Sequence, residues 1–231
     1  MEKAQVRDLV TSLRNQNQSL LSELESKEIL RAWGLPVPAF LQAASAPEAV
    51  AAAGQIGYPV AMKVLSPSIS HKSDVGGVKL GLASEREVEQ AYLEIEASCR
   101  KIDPGFKVLV QPMVKGGIEV ILGVSKDPQF GPALMFGAGG VFTELFRDVA
   151  FRLIPLKRKD AVDMISSIRA YPLLKGFRGK PGADIDCLAD MIVALSELVV
   201  ASPEIREIDL NPVLALPKGA AVVDARMVLE K

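Results

Sequence analysis

Helical and strand-like hydrophobic patterns alternate along the first half of the chain. Three Ser-x-x-Glu sequences, beginning at Ser22, Ser45 and Ser84, have the spacing of capping boxes and each precedes apolar residues at helical spacing. Between the second and third boxes, the apolar runs Pro59–Leu65 and Val78–Leu82 predict two strands. Helices and strands therefore alternate over residues 20–108.

Closely spaced strands dominate the pattern beyond residue 107. Glycine pairs and an Asp-Pro turn separate the first of these strands, and two helices follow before the last pair. The predicted strands are 107–111, 118–124, 132–136, 205–210 and 220–224, and the predicted helices are 158–170 and 184–202. The pattern predicts an α+β protein with an N-terminal lobe over residues 21–110 and a C-terminal lobe over residues 111–231.

Residues 1–20 form a polar, amide-rich segment with a thin apolar stripe. The stripe consists of Val6, Leu9, Val10 and Leu13. Such a segment is typical either of a helix that docks on a partner or of a polar arm, and both interpretations stay open at this point.

Charge and composition exclude several classes of function. The 231 residues contain 27 Lys and Arg against 28 Asp and Glu, so the net charge of −1 provides no general basic surface for nucleic acid. His71 is the only histidine, which excludes metal sites that need two. No apolar run approaches the roughly 18 residues of a membrane span, and no signal sequence is recognised at the N-terminus. We expect a cytoplasmic protein that binds neither nucleic acid nor membrane.

Two segments of the N-terminal lobe carry candidate chemistry. Lys63 interrupts an apolar strand, where it either meets an anion or lies on a solvent-facing side. The following loop contains His71 and Lys72 before Gly76-Gly77, with Lys79 just beyond. Glycine amides and lysines bind phosphate, and a neutral imidazole can accept a phosphoryl group. The alternative is that His71 is an ordinary polar loop residue.

The C-terminal lobe contains two further candidate segments. Residues 136–144 form a glycine-rich loop after a strand, and they match neither a Walker loop nor a dinucleotide fingerprint. Strand alternation places Asp209 and Asn211 on one face, and Asp224 follows on the next strand. Oxygen ligands of this kind suit Mg²⁺, although a solvated strand edge would also contain acids.

In order along the chain, these segments resemble the ATP-grasp fold, and within it the β subunits of ADP-forming acetyl-CoA synthetases, which are related to succinyl-CoA synthetases. The resemblance covers about residues 20–231. Its sequences are Ser26-Lys27-Glu28-Ile29-Leu30, Gly34-Leu35-Pro36-Val37-Pro38, Gly57-Tyr58-Pro59-Val60-Ala61-Met62-Lys63, His71-Lys72-Ser73-Asp74-Val75-Gly76-Gly77-Val78, Gln111-Pro112-Met113, Gly137-Ala138-Gly139-Gly140-Val141-Phe142-Thr143-Glu144 and Ile208-Asp209-Leu210-Asn211-Pro212-Val213.

The resemblance implies two α+β lobes with ATP or ADP between them. It assigns the nucleotide phosphates to Lys63 and Lys72 and the adenine edge to a hinge formed by Gln111, Pro112, Met113 and Val114. The remaining implied nucleotide-binding residues are Glu119, Gly139 and Gly140.

The resemblance also implies the chemistry. Asn211 and Asp224 would bind Mg²⁺, Asp209 would lie near an incoming phosphohistidine, and His71 would relay the phosphoryl group to ADP. The chain has no CoA-binding domain, so a CoA-binding α subunit is expected as partner, as an α2β2 heterotetramer. The open alternatives are the β subunit of a succinate- or other acyl-CoA ligase and a non-catalytic nucleotide-binding regulatory module.

Overall fold

The computed structural model describes residues 3–69, 71–140 and 148–230. The chain forms two compact units: unit 1 comprises Met1–Val37 and Gly116–Lys231, and unit 2 comprises Pro38–Lys115. Each unit has an antiparallel β-sheet with helices packed against it, which confirms the α+β class. No helix in the described ranges is long and apolar enough to cross a membrane.

Unit 2 contains a four-stranded sheet in the order β1-β4-β2-β3. Ser45 and Ser84 accept hydrogen bonds from the backbone N–H groups of Glu48 and Glu87, so the predicted caps do begin helices. The elements are β1 (Leu41–Ala43), α3 (Ala46–Ile56), β2 (Val60–Leu65), β3 (Val78–Leu82), α4 (Glu85–Cys99) and β4 (Lys107–Pro112).

Unit 1 contains a six-stranded sheet with the path β10-β8-β5-β6-β7, and β9 also pairs with β8. Its helices and strands are α1 (Lys3–Asn15), α2 (Glu23–Ala32), β5 (Ile118–Asp127), β6 (Gly131–Ala138), β7 (Val149–Leu153), α5 (Arg158–Ser167), α6 (Tyr171–Leu174), α7 (Ile185–Ala201), β8 (Ile205–Ala215), β9 (Ala220–Val222) and β10 (Arg226–Leu229). Only the first part of the predicted strand 220–224 is a strand, β9, and a second short strand that was not predicted, β10, follows it. The two pair with opposite ends of the long strand β8.

The compact units differ from the predicted domain boundaries. Residues 21–37 belong with the C-terminal part of the chain. Ile29 and Leu30 of α2 lie in the hydrophobic core of unit 1, and so does Trp33, which caps the C-terminal end of this helix. At the other boundary, β4 continues to Pro112, and the backbone N–H of Met113 still donates to Pro59. Residues 111–115 consequently belong to unit 2 rather than to the C-terminal lobe.

The N-terminal segment is a helix of unit 1 rather than a polar arm. Val6 and Val10 of α1 are fully buried, and Leu13 is 8% exposed. All three lie in the same hydrophobic cluster as residues of α2, β5 and β8. The apolar stripe that suggested a docking surface is thus covered by the chain's own core.

Candidate active site

Lys63 and Gln111 share one face of the unit 2 sheet. In the pairing of β2 with β4, Ala61 lies opposite Gln111 and Lys63 lies opposite Leu109, which makes Lys63 and Gln111 diagonal neighbours. Their face is opposite to the one formed by the core residues of β2 and β4. Lys63 is 5% exposed and Gln111 is 1% exposed. Lys63 is therefore buried and does not lie on a solvated strand face.

The backbone of the predicted hinge forms only one of the two hydrogen bonds that a pair of residues in an antiparallel sheet usually exchanges. The N–H of Met113 donates to the carbonyl of Pro59 at 2.9 Å. Pro59 has no N–H, so this pair exchanges one hydrogen bond instead of two. Proline at this position leaves the Met113 carbonyl without the usual partner in the adjacent strand. The residues that follow, Met113 and Val114, are only partly buried.

The histidine loop is fixed against strand β2 by a glycine. The Gly77 N–H donates to the Lys72 carbonyl, and the Val64 N–H donates to the Gly77 carbonyl, both at 2.7 Å. A Cβ on Gly77 would lie 2.5 Å from Val64 Cγ1, so the packing against β2 requires glycine at this position. The loop residues that precede Gly77 include His71, which is exposed, and Lys72, which is partly buried.

Lys79 lies on the opposite face of the same sheet. Lys79 pairs with Met62 of the hydrophobic core, whereas Lys63 pairs with Val78. The Lys79 ammonium lies 2.5 Å from the carboxylate of Glu94 on α4. The sequence groups Lys79 with Lys63 and Lys72 as nearby positive charges, but strand alternation places Lys79 on the face of the sheet opposite to Lys63.

In unit 1, Glu119 lies next to Gly139 and Gly140. The Gly139 N–H donates to the Glu119 carbonyl at 2.7 Å. A Cβ on Gly139 would lie 2.9 Å from the Glu119 backbone, and a Cβ on Gly140, which has φ +63°, would lie 2.7 Å from Glu119 Oε2. Glycine is thus required for this close approach. The rest of the predicted glycine-rich loop, residues 141–144, lies outside the described residues.

The predicted metal ligands Asn211 and Asp224 lie across from each other. On one side of the gap between β9 and β10, Val213 pairs with Val222, and on the other side Asp209 pairs with Arg226. Both pairs have the same register, and continuing this register through the gap puts Asp224 across from Asn211. The hydrogen bond from the Val223 N–H to the Pro212 carbonyl, 3.1 Å long, keeps that register through the gap. The structure thus brings together two oxygen donors that are separated in sequence.

A β-bulge coincides with this pair of residues. Val120 pairs with Val213 but Leu122 pairs with Leu210, so Asn211 and Pro212 together face one residue of β5. Bulges redirect side chains and are common beside active sites. The described residues contain no cluster of three or more His, Cys, Asp or Glu able to hold a metal. A site made of one amide and one carboxylate suits a cation that retains water and phosphate ligands, as Mg²⁺ does.

Asp209 has an electrostatic environment of its own. Burial by the surrounding protein raises the pKa of its carboxyl group, and the negative charge of Asp224 raises it further, while Arg226 lowers it. Asp209 pairs directly with Arg226 across β8 and β10. The sequence prediction included Asp209 but missed Arg226, although the alternation of Asp224 and Arg226 about the buried Ala225 could have indicated a shared face.

The predicted residues fall into a set on each unit. Unit 2 holds Lys63, Lys72 and His71 together with the hinge, and unit 1 holds the Glu119 group and the strand-β8 group. Sequence reasoning also missed Asp148, whose carboxylate accepts 2.7 Å hydrogen bonds from the N–H groups of Arg169 and Ala170. Its carbonyl accepts a hydrogen bond from Ala138, next to Gly139. Asp148 thus connects the end of β6 to the start of α6.

Comparison with known proteins assigns this arrangement to a family. The family model described as the ATP-grasp domain matches residues 12–229. The chain is 46% identical over 229 residues to the β subunit of acetate–CoA ligase (ADP-forming) I from Pyrococcus furiosus, covering 98% of both chains. The chain belongs to the ATP-grasp family, with the β subunits of ADP-forming acetate–CoA ligases.

Solved structures agree with this assignment of the ATP-grasp chain. An acetyl-CoA synthetase from Ca. Korarchaeum cryptofilum, in complex with coenzyme A and Ca-AMPCP, superimposes with a TM-score of 0.93 at 46% identity, covering 97% of this chain and 99% of that one. Another structure of the same synthetase, with a TM-score of 0.86, contains Mg-AMPPCP and a phosphohistidine segment that points towards the nucleotide-binding site.

The family also includes longer chains. A 4-hydroxybutyrate–CoA ligase (ADP-forming) from Nitrosopumilus maritimus is 42% identical over 232 residues, which are 98% of this chain but 33% of that protein. The ATP-grasp chain therefore corresponds to a separate subunit in one relative and to about a third of a single polypeptide in another.

Proposed function

We propose that this chain is the nucleotide-binding β subunit of an ADP-forming acetyl-CoA synthetase. The complete enzyme would convert acetyl-CoA, ADP and phosphate into acetate, ATP and CoA, and this subunit would transfer the phosphoryl group from a phosphohistidine of its partner to ADP. The observation that carries the proposal is the strand register that puts Asp224 across from Asn211 and next to Asp209, in a chain that matches such a β subunit over almost its full length.

Nucleotide binding is assigned to residues of both units. The buried Lys63, with Lys72 on the following loop, would supply positive charge to the phosphates. The adenine edge offers a donor and an acceptor, which the Met113 carbonyl and the Val114 N–H can complement within the hinge that begins at Gln111 and Pro112. In unit 1, Glu119 would line the pocket, and the absence of side chains at Gly139 and Gly140 would allow close approach.

Magnesium is assigned to Asn211 and Asp224. The amide and carboxylate oxygens are hard donors, and the two residues lie across from each other on adjacent segments. Bound there, Mg²⁺ would neutralise charge on the nucleotide phosphates. The protein's part is to fix these two oxygens on the bulged strand β8.

His71 and Asp209 are assigned to phosphoryl transfer. The imidazole of His71 would attack the phosphorus of the partner's phosphohistidine, so that the old P–N bond breaks as a new one forms. An ADP β-phosphate oxygen then displaces His71, and the P–O bond of ATP replaces that P–N bond. Asp209 would orient the imidazole that carries the phosphoryl group and would stabilise its positive charge.

The partner in this proposal is a CoA-binding α subunit, and the expected assembly is an α2β2 heterotetramer. A fused relative that is about three times as long supports such a partner. The acyl group remains a separate question, because that relative is named for 4-hydroxybutyrate rather than for acetate.

Cys99 and Cys187 are free thiols, which agrees with a cytoplasmic location.

The overall function is tested by producing the chain together with a CoA-binding α subunit and measuring ATP formation. We expect ATP to appear only when acetyl-CoA, ADP, phosphate, Mg²⁺ and both subunits are present. Parallel assays with succinyl-CoA and 4-hydroxybutyryl-CoA identify the acyl group. If ADP binds but no acyl-CoA supports ATP formation, the chain is a nucleotide-binding regulatory module and the proposal is wrong.

The relay role of His71 has its own test. Incubation of the complex with γ-labelled ATP and Mg²⁺ is expected to leave acid-labile, base-stable phosphate on this chain, and His71→Ala should remove that label and lower turnover at least 100-fold. Ser73→Ala changes an exposed residue of the same loop and serves as the matched control. Full labelling and turnover of His71→Ala would contradict the relay.

A further inference from the structure

Arg226 occupies a special position beside the proposed phosphoryl-transfer residues. It begins β10 and pairs with Asp209 of β8, and directly paired residues of antiparallel strands project from the same face. Its neighbours Ala225 and Met227 are buried at 4% and 0% exposure, whereas Arg226 itself is exposed. Arg226 therefore lies on the face opposite to the core, together with Asp209.

Within the part of the chain that the structure describes, the fold makes no use of the Arg226 guanidinium. In the described parts of the chain its side chain forms no hydrogen bond or ion pair, even though its positive charge lowers the pKa of Asp209. Arg206, also an exposed arginine of this sheet, is by contrast 2.9 Å from the carboxylate of Glu207. Among the described residues, Arg226 thus lies beside two acidic positions, Asp209 and Asp224, without a hydrogen bond or ion pair that would explain its place in the fold.

We infer that Arg226 binds the oxygens of the phosphoryl group while it passes from histidine to ADP. With Asp224 assigned to Mg²⁺, an arriving phosphoryl group still meets the carboxylate of Asp209, and positive charge at the directly paired position of Arg226 offsets that repulsion. The planar guanidinium donates two parallel hydrogen bonds to phosphate oxygens, which fixes orientation as well as charge. In the transfer the electron pair of the P–N bond returns to the imidazole and ADP supplies the new P–O bond. Arg226 keeps its protons throughout.

This inference rests on the proposed function and is tested on the complete complex with its α subunit. The complex is loaded with labelled phosphate from the acyl-CoA side, ADP and Mg²⁺ are added, and the single-turnover rate of labelled ATP formation is measured. Arg226→Gln should slow this step at least 100-fold, and Arg226→Lys should retain an intermediate rate. The dissociation constant of ADP should change less than threefold, because ADP lacks the transferred group. Arg206→Gln should match the wild-type chain.

Different failures have different meanings. A transfer rate of Arg226→Gln within threefold of wild type overturns the inference, and so does a loss of ADP affinity as large as the loss of rate. If Arg226→Gln has no further effect in an Asp209→Asn background, Arg226 acts through Asp209 and does not bind the phosphoryl group. If the wild-type complex itself forms neither phosphohistidine nor ATP, the proposed function fails, and the inference fails with it.

Discussion

At the scale of single residues, two lysines of the unit 2 sheet show how a strand separates similar side chains. Lys63 is 5% exposed on the face opposite to the core, together with Gln111. Lys79 is on the helix-covered face and pairs with Glu94. The position of Lys79 does not suit a phosphate, because its charge is already matched by the carboxylate of Glu94.

Substitution of these lysines separates the two roles. Lys63→Met should weaken ADP binding about 10- to 100-fold, since charge-assisted hydrogen bonds contribute about 1.5–3 kcal/mol. Lys79→Met is the matched control and should change ADP affinity less than twofold. Isothermal titration of ADP into each variant in the presence of Mg²⁺ measures both values. Equal weakening by the two substitutions would contradict the assignment of Lys63.

The ion pair between Lys79 and Glu94 also makes the stability of the fold depend on pH. The hydrogen bond from Lys79 is the largest cause that lowers the pKa of Glu94, followed by a hydrogen bond from Gln90. Because the folded-state pKa lies below the unfolded one, this contribution to stability is present above the unfolded pKa. It is lost as the pH falls through the folded pKa. In Lys79→Met, the pKa of Glu94 should move back towards its ordinary value, as measured by NMR titration of its carboxyl carbon.

At the scale of elements, the loop between β2 and β3 depends on one glycine for its position. Gly77 connects the loop to Val64 on one side and to Lys72 on the other by two hydrogen bonds of 2.7 Å. No side chain fits there, since a Cβ would also lie 2.9 Å from the Lys72 carbonyl. The placement of His71 relative to β2 is thus set by backbone contacts.

Gly77→Ala should therefore destabilise the chain and disturb the loop. We expect a loss of about 1–3 kcal/mol in the free energy of unfolding, because the clash involves a packed side chain and a backbone carbonyl. Gly54→Ala is the matched control, because the added Cβ would meet no atom within 4 Å apart from the adjacent backbone of its own helix, and alanine is about 1 kcal/mol better than glycine inside a helix. Urea unfolding of both variants measures the difference. A Gly77→Ala chain as stable as wild type would contradict the close packing.

At the scale of the whole molecule, the two ends of the chain share one hydrophobic core. Val6 and Val10 of α1 belong to the same cluster as Leu210 of β8 and Met227 of β10. The Leu21 N–H also donates to the Met227 carbonyl at 3.0 Å. Unit 2 is consequently an insertion, in sequence, between the two segments that build unit 1.

Val10→Ala tests whether α1 is part of this core or a surface for a partner. Removing two methyl groups from a fully buried position should cost about 2 kcal/mol in the unfolding free energy of the isolated chain. Val200→Ala, on a side chain that is 60% exposed, should change it by less than about 0.5 kcal/mol. If Val10→Ala instead leaves stability unchanged and weakens α-subunit binding, α1 is a docking helix.

Local signals predicted a large part of the elements. Capping serines and apolar spacing placed α2, α3 and α4, because a helix start depends on residues three or four positions apart. The short strands β1, β7 and β10 were not predicted, since three to five residues give too little periodicity to recognise a strand. Alternation correctly placed Asp209 and Asn211 on the face away from Ile208 and Leu210.

The sequence by itself determined the residue types of the candidate site, their order and the family to which they belong. Tertiary structure decided that Asp224 lies across from Asn211, that Arg226 joins Asp209, that Lys79 is turned away from Lys63, and that α1 is buried. The physical reason is range. Caps and alternation depend on neighbours along the chain, whereas strand register and the partner of a hydrophobic stripe depend on packing between segments far apart in sequence.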